Sequence, residues 1–255
     1  MEVAPLVNER NSSKQTKSVI AFKKKKGFSK GYSRWKIEVE SLEEVAPLIE
    51  DYLRNVDLAD DYSDTGVRDI LVCTHGSHDK CCAKYGIPFY REALSVARDS
   101  HLADIHVWQS SHFGGHRFAP TAIDFPEGRY YGGLDQNTFS SILMRTGDIN
   151  CIREVYRGWG ILSIYAQVLE RELLLSHGWE WFNFNVESQI ISQNEDKTFS
   201  RVEIMYESHG NILHSCVADI VKDENSTLYL KGSCNGKESE RVKFRAENIV
   251  FSDGL

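Results

Sequence analysis

The segment RDILVC, residues 68–73, limits the fold more than any other stretch of the chain. Its apolar positions, Ile70 to Cys73, are consecutive, as in a strand covered on both faces. Such strands belong to sheets flanked by helices. The order that follows agrees with this. IPFYREALSVARDS reads as a helix with Pro88 near its start, and DIHVWQSS as a second strand. PTAIDF and RYYGGL form a hairpin joined by PEG, and DQNTFSSILMRTG is a helix with Gly147 past its end.

That order, βαβ and then ββα, predicts an α/β fold with a thioredoxin-like sheet over residues 66–150. In a sheet of this kind the loops after parallel strands gather at one end, where ligands bind. Residues 18–54 also read strand, turn, strand, helix, the same types and order as 121–146. The expectation is a ββα half-unit over 18–60, with Ser41 and Glu44 as a capping box and Leu42, Val45, Leu48, Ile49, Tyr52 and Leu53 at helical spacing. Its related βαβ half would be absent from the chain. Lys23 to Lys26 at the turn read as a solvated hairpin edge. The first 17 residues are polar and expected to be disordered. Residues 151–182 predict a helical connector, broken at RGWGI. From 183 to 255 the chain alternates in short runs such as RVEIMYES and HSCVADIV, predicting a small antiparallel β domain with Cys216 and Cys234 as buried structural thiols.

The net charge of −7 argues against nucleic acid as a main partner. No apolar run approaches the ~18 residues a membrane span needs. The N-terminus lacks the charged-then-apolar pattern of a signal peptide, so the expected location is cytoplasmic. In that compartment six cysteines are thiols or metal ligands and not a disulfide framework.

Two loops then carry the chemistry. CTHGSHDKCCAKYG, residues 73–86, contains Cys73 and Cys82 at C-x8-C spacing, with His75, His78 and Cys81 between them. SSHFGGHRFAP, residues 110–120, contains His112 and His116 at H-x3-H. Each loop follows a strand of the predicted βαβ unit, so the tips can meet and offer two thiolates and two imidazoles to a metal centre. Gly114 and Gly115 would let the backbone approach such a centre and offer amide N–H groups to it. CTH supplies the first box of a Rieske site, but no C-x2-H follows. The C-x4-C-x2-C of plant-type ferredoxins, the C-x-x-C of thioredoxins and the short C-x2–4-C of zinc fingers are absent too. A structural Cys2His2 zinc site stays open on ligand type alone. No pair of carboxylates is singled out for glycoside hydrolysis, and Asp79 and Asp124 read as turn or loop-capping residues. No catalytic residue is assigned, and His209 and His214 are given no chemistry.

VCTHGSHDKCCAKYGIP followed by SSHFGGHRFAPTAIDFPEGRYYG, with MRTGDI and YRGWG beyond, closely resembles the sucrase/ferredoxin-like family over about residues 18 to 180. The likeness is greatest to its bacterial, cyanobacterial branch. The resemblance implies a thioredoxin-like [2Fe–2S] ferredoxin whose cluster is ligated by Cys73, Cys82, His112 and His116. Family members commonly carry a basic residue before the second cysteine, where this chain has Cys81. Cys81 is thus an alternative ligand, with the spacing favouring Cys82. His75 and His78 become surrounding residues, and Arg117 would raise the cluster potential if it points inward. Related chains usually start with a further N-terminal segment, in keeping with the half-unit. The expected protein transfers or senses electrons with a redox partner protein and is not a catalyst. The competing expectation is a zinc-binding interaction protein, and a third is a thioredoxin-like binding module without metal.

Overall fold

The computed structural model describes residues 17–54, 66–102, 104–210, 212–226, 228–232 and 236–253. The polar N-terminal stretch before Lys17, the acidic segment 55–65 and Cys234 lie outside them. The described residues divide into two compact units. The first falls within 1–25, 31–128 and 132–140, and the second within 26–30, 129–131 and 141–255.

In the first unit β1 (Lys17–Lys24) and β2 (Tyr32–Val39) form an antiparallel ribbon with Lys17 opposite Val39. A 3-10 turn, Leu42–Glu44, leads into α1 (Val45–Arg54). Ser41 N–H donates to Glu44 Oε1 at 3.0 Å, the backbone half of the expected box. Pro47 falls in the first turn of α1, where its missing N–H costs nothing. The expected apolar stripe is not deeply buried: Leu42 is exposed, and Val45, Leu48 and Ile49 are half-buried.

The ribbon lies on the α/β sheet of its own unit. β3 (Arg68–Cys73) runs parallel to β4 (Ile105–Ser110) and antiparallel to β5 (Thr121–Phe125), in the order β4-β3-β5. β3 is buried from Asp69 to Cys73, as its apolar run requires. Phe22 stacks on Phe125 with ring centroids 4.0 Å apart. Tyr32 N–H donates to Pro126 O at 2.7 Å. Arg34 Nε reaches Asp69 Oδ2 at 2.6 Å with both side chains at 2% exposure or less, and Trp108 Nε1 donates to Asp69 Oδ1 at 2.7 Å. Arg68 grips Asp124 bidentately, Nε at 2.8 Å and a terminal nitrogen at 2.5 Å. Asp124 is therefore not a turn cap. It sits inside β5 as the buried half of an ion pair between neighbouring strands.

The second correction concerns the helix after β3. Pro88 placed its start near Ile87, but α2 spans Lys80–Asp99 and begins inside the cysteine-rich loop. Pro88 lies within it. The buried positions Cys82, Gly86, Phe89, Ala93 and Val96 are spaced by four or three residues, one continuous helical stripe. That stripe lies directly on the end of β3. A Cβ at residue 86 would stand 2.0 Å from Cys73 O, and one at Gly76 would stand 2.5 Å from the Ala83 Cβ. After β5, Gly128 N–H donates to Asp124 O at 2.7 Å, closing the turn before β6 (Arg129–Gly132). α3 (Gln136–Met144) follows, its start capped by Thr138 N–H donating to Asp135 Oδ1 at 2.8 Å. The chain thus shows the βαβ–ββα order of a thioredoxin-like fold.

In the second unit β6 pairs antiparallel with β7 (Tyr156–Trp159). This corrects the reading of 151–182 as helical: YRGW is a strand, and only α4 (Ala166–His177) is an α-helix there. Gly158, at φ 134, occupies a position where a Cβ would stand 2.0 Å from Gln167 Oε1. Beneath β7, Glu170 Oε1 accepts from Arg129 at 3.0 Å, Tyr156 OH at 3.0 Å and Trp181 Nε1 at 2.9 Å. The Arg129 guanidinium lies 3.8 Å from the Trp159 ring centroid, so this buried cation has both a carboxylate and an aromatic face. β8 (Asn185–Gln193), β9 (Phe199–Ser208), β10 (Ile212–Lys222) and β13 (Phe244–Asp253) form an antiparallel sheet in the order β13-β10-β9-β8. β11 (Leu228–Lys231) and β12 (Glu238–Arg241) pair separately. The small antiparallel sheet is as expected, although ERVKFR divides between two strands. Cys216 is buried, and burial pushes its thiol up to about 11. No helix among the described residues is long and apolar enough to cross a membrane.

Gly86→Ala tests the contact of helix and strand. Propensity alone favours Ala in a helix by about 1 kcal/mol. Overpacking against a rigid backbone opposes it by about 1–3 kcal/mol or more. The variant is expected to be less stable in urea denaturation, and an equal or higher midpoint would show that α2 does not press on Cys73.

Candidate metal centre

Cys73 is the last residue of β3, and His112 follows two residues after the end of the parallel strand β4. Thr74 N–H donates to Ser110 O at 3.2 Å, so the parallel register continues to the rim of the sheet. Cys82 enters from the first turn of α2. Because Gly86 brings that turn flush with the end of β3, the Cys82 side chain faces Cys73. Consecutive residues on a helix point about 100° apart, so Cys81 and Cys82 cannot both face the strand end. Cys82 is fully buried and belongs to the group with Cys73 and His112, whereas half-buried Cys81 does not.

The ligand atoms of Cys73, Cys82 and His112 all lie within 4.8 Å of one another. His112 Nδ1 is 3.4 Å from Cys82 Sγ and 3.8 Å from Cys73 Sγ. Ligands of one tetrahedral ion, at about 2.3 Å for sulfur and about 2.0 Å for nitrogen, stand about 3.5 Å apart. His116 is buried and begins a 3-10 turn, His116–Phe118. It is outside the three-membered group but joins it through Asp79. Asp79 Oδ1 is 3.8 Å from His116 Nδ1, and Asp79 Oδ2 is 3.9 Å from both His112 Nε2 and His78 Nε2. The four residues expected from the two loops are thus brought to one end of the sheet.

The local fields suit metal ligation. Burial first, and then the neighbouring Cys73 thiol, push Cys82 up to about 12. An unmetallated Cys82 is therefore a thiol at neutral pH, and a cation must displace its proton. Burial, followed by the nearby His78, holds His112 below the usual imidazole value. It stays neutral, with a lone pair to offer. Two soft thiolates and borderline imidazoles fit zinc or iron–sulfur chemistry, and not a hard cation such as calcium or magnesium.

The surrounding residues divide differently from expectation. Gly114 has nothing within 4 Å of a Cβ position, so close approach is not its reason; it and Gly115 are at φ 102 and 71, where glycine turns the chain into His116. Arg117 is exposed, its guanidinium 5.1 Å from the Phe118 ring centroid. His75 is exposed, and its Nδ1 accepts from His112 N–H at 3.3 Å, holding the second loop to the first. The His78 ring lies tilted against His112, with centroids 4.1 Å apart. Asp79 is the residue that sequence reasoning missed. It occupies the N-cap position of α2, yet its carboxylate makes no capping hydrogen bond. A helix traced back to Cys82 through the stripe at 82, 86, 89, 93 and 96 would have placed Asp79 beside the ligands. His209 and His214 lie in the other unit, against Glu180 at 2.7 Å and Ser208 at 2.9 Å.

Over 97 residues the chain is 31% identical to altered inheritance of mitochondria protein 32 of Meyerozyma guilliermondii, covering 35% of this chain and 34% of that protein. The chain therefore spans about a third of the length of this curated relative. No solved structure matches. A family model described as sucrase/ferredoxin-like matches residues 4–158, starting earlier than the motif-based reading and ending within YRGWG. That match takes in both loops, the βαβ unit and more than half of the 255 residues, and the chain belongs to the sucrase/ferredoxin-like family.

Proposed function

We propose that this protein carries or senses single electrons through a [2Fe–2S] cluster held by Cys73, Cys82, His112 and His116, exchanging them with a redox partner protein in the cytoplasm. The observation that carries this reading is the convergence of two buried thiols and an imidazole within 4.8 Å, with a second buried imidazole beside them, in a chain of a ferredoxin-like family. The cluster supplies a one-electron couple. The chain's part is to set its charge and its access to solvent. An oxidised core of +2 with two thiolates and two neutral imidazoles is neutral overall. Four thiolates would leave −2, so the reduction potential here lies well above that of plant-type ferredoxins. Burial of Cys73, Cys82 and His116 excludes water, while the half-exposed His78 ring, tilted against His112, lies between the site and the solvent-exposed part of the first loop.

One observation favours a second reading. The sulfur-to-nitrogen distances of 3.4 and 3.8 Å suit ligands of a single ion, which supports a structural zinc site. Anaerobic purification separates the two. A red-brown protein with visible absorption and iron and acid-labile sulfide in a ratio of about one to one supports the cluster. A colourless protein with zinc and no sulfide supports the second reading.

In the iron-loaded protein, His112→Cys should keep a cluster and lower its potential, because a third thiolate makes the site anionic. A potential unchanged or raised in redox titration would remove His112 as a ligand. Metal affinity should also rise with pH. The Cys82 proton, held up to about 12, is displaced on binding, so each unit by which the pH rises toward that value strengthens apparent binding about tenfold per proton released. Chelator competition at two pH values measures this slope, and a flat profile would show that no thiol is deprotonated.

A further inference from the structure

Asp79 is 2% exposed, and three imidazoles surround it. Burying a carboxylate is costly unless its charge is matched. An aspartate at a helix N-cap ordinarily recovers that cost by accepting from the first-turn amides. Asp79 has the extended backbone of an N-cap, φ −140 and ψ 126, and its backbone O accepts from Cys82 N–H at 3.0 Å. Its carboxylate, however, is turned to His112 Nε2, His116 Nδ1 and His78 Nε2 at 3.8 to 3.9 Å. These separations are close for charge interaction but longer than hydrogen bonds. A ring movement of about 1 Å would make either contact one.

The nitrogens facing Asp79 differ between the two candidate ligands. In His112 the carboxylate meets Nε2, while Nδ1 faces the sulfurs at 3.4 and 3.8 Å. In His116 it meets Nδ1, so Nε2 is the nitrogen turned away from it. A carboxylate next to one ring nitrogen holds the proton there and presents the other lone pair to a metal. We propose that Asp79 is a positioning residue shared by both imidazoles, and that it imposes mixed ligation: His112 binds through Nδ1 and His116 through Nε2. The inference rests on the reading of these loops as a metal site, and not on which metal fills it. Its position explains why one residue can serve both rings. Asp79 lies between the two halves of the first loop, His75 O accepts its N–H at 3.3 Å, and α2 starts immediately after it.

Zinc(II) is a diamagnetic probe for this arrangement. Apo-protein labelled with nitrogen-15 in histidine is loaded with zinc, and long-range proton–nitrogen correlation spectra identify the metal-bound and protonated nitrogen of each ring. Expected are zinc on His112 Nδ1 with the proton on Nε2, and zinc on His116 Nε2 with the proton on Nδ1. Asp79→Asn should weaken zinc binding about 10–100-fold, and Asp79→Glu should recover part of the loss. Both rings bound through the same nitrogen, either ring unbound, or an Asp79→Asn affinity within twofold of the parent would overturn the inference. If Asp79→Asn does not fold, the spectra of the unmodified protein decide alone. A preparation lacking iron and sulfide that still shows the mixed pattern with zinc supports Asp79's role while removing the cluster reading. An iron–sulfur protein whose zinc form lacks the mixed pattern does the reverse.

Discussion

The candidate site depends on one contact, the seating of the α2 backbone on the end of β3. With no side chain at Gly86, the helix approaches so closely that a methyl group there would stand 2.0 Å from Cys73 O. The first turn of the helix therefore ends over the rim of the sheet, and Cys82 comes beside Cys73. Parallel pairing of β3 with β4 then carries the second loop to the same rim, where His112 meets both sulfurs. The Cys82–His112 contact could not form if α2 stood a side chain's width further out. Packing of a helix on a strand and convergence of the donors are here one structural event.

Buried carboxylates give the first unit its second constraint. Asp69 is matched by Arg34 and Trp108, and Asp124 by Arg68. These pairs tie the ribbon to the sheet and one strand to the next, and they leave no ligand site. Asp79 is different, because three imidazoles stand within 4 Å of its carboxylate, and one of them, His112, also faces the thiols. In the second unit, Glu170 and Arg129 repeat the structural pattern with aromatic faces closing over the cation. A buried acid with a guanidinium partner reads as architecture. One surrounded by imidazoles at the edge of a sulfur pair reads as part of a site.

Much of this could be seen in the sequence because the signals were local. The apolar run at residues 70–73, the C-x8-C and H-x3-H spacings and the strand–helix order needed no knowledge of what packs where. The errors came where a local rule met a tertiary one. Pro88 suggested a helix start, but burial of Cys82 and Gly86 against β3 extended α2 back to Lys80. YRGWG looked like a break in a helix, but pairing with β6 made a strand of it. Asp79 and Asp124 resembled turn residues because acids at loop edges usually are, and their burial depends on strands and rings far away in the chain.

By itself the sequence determined the α/β order, the two loops, their donor types and the family to which they belong. These follow from residue type and spacing, which no packing can alter. The tertiary structure alone decided that Cys82 rather than Cys81 joins Cys73 and His112, that Gly114 and Gly115 serve a turn, and that Asp79 faces three imidazoles. Each of these depends on which side of a helix or loop meets a neighbouring strand. That is fixed by close packing between segments far apart in the chain, and it leaves no local mark in the residues themselves.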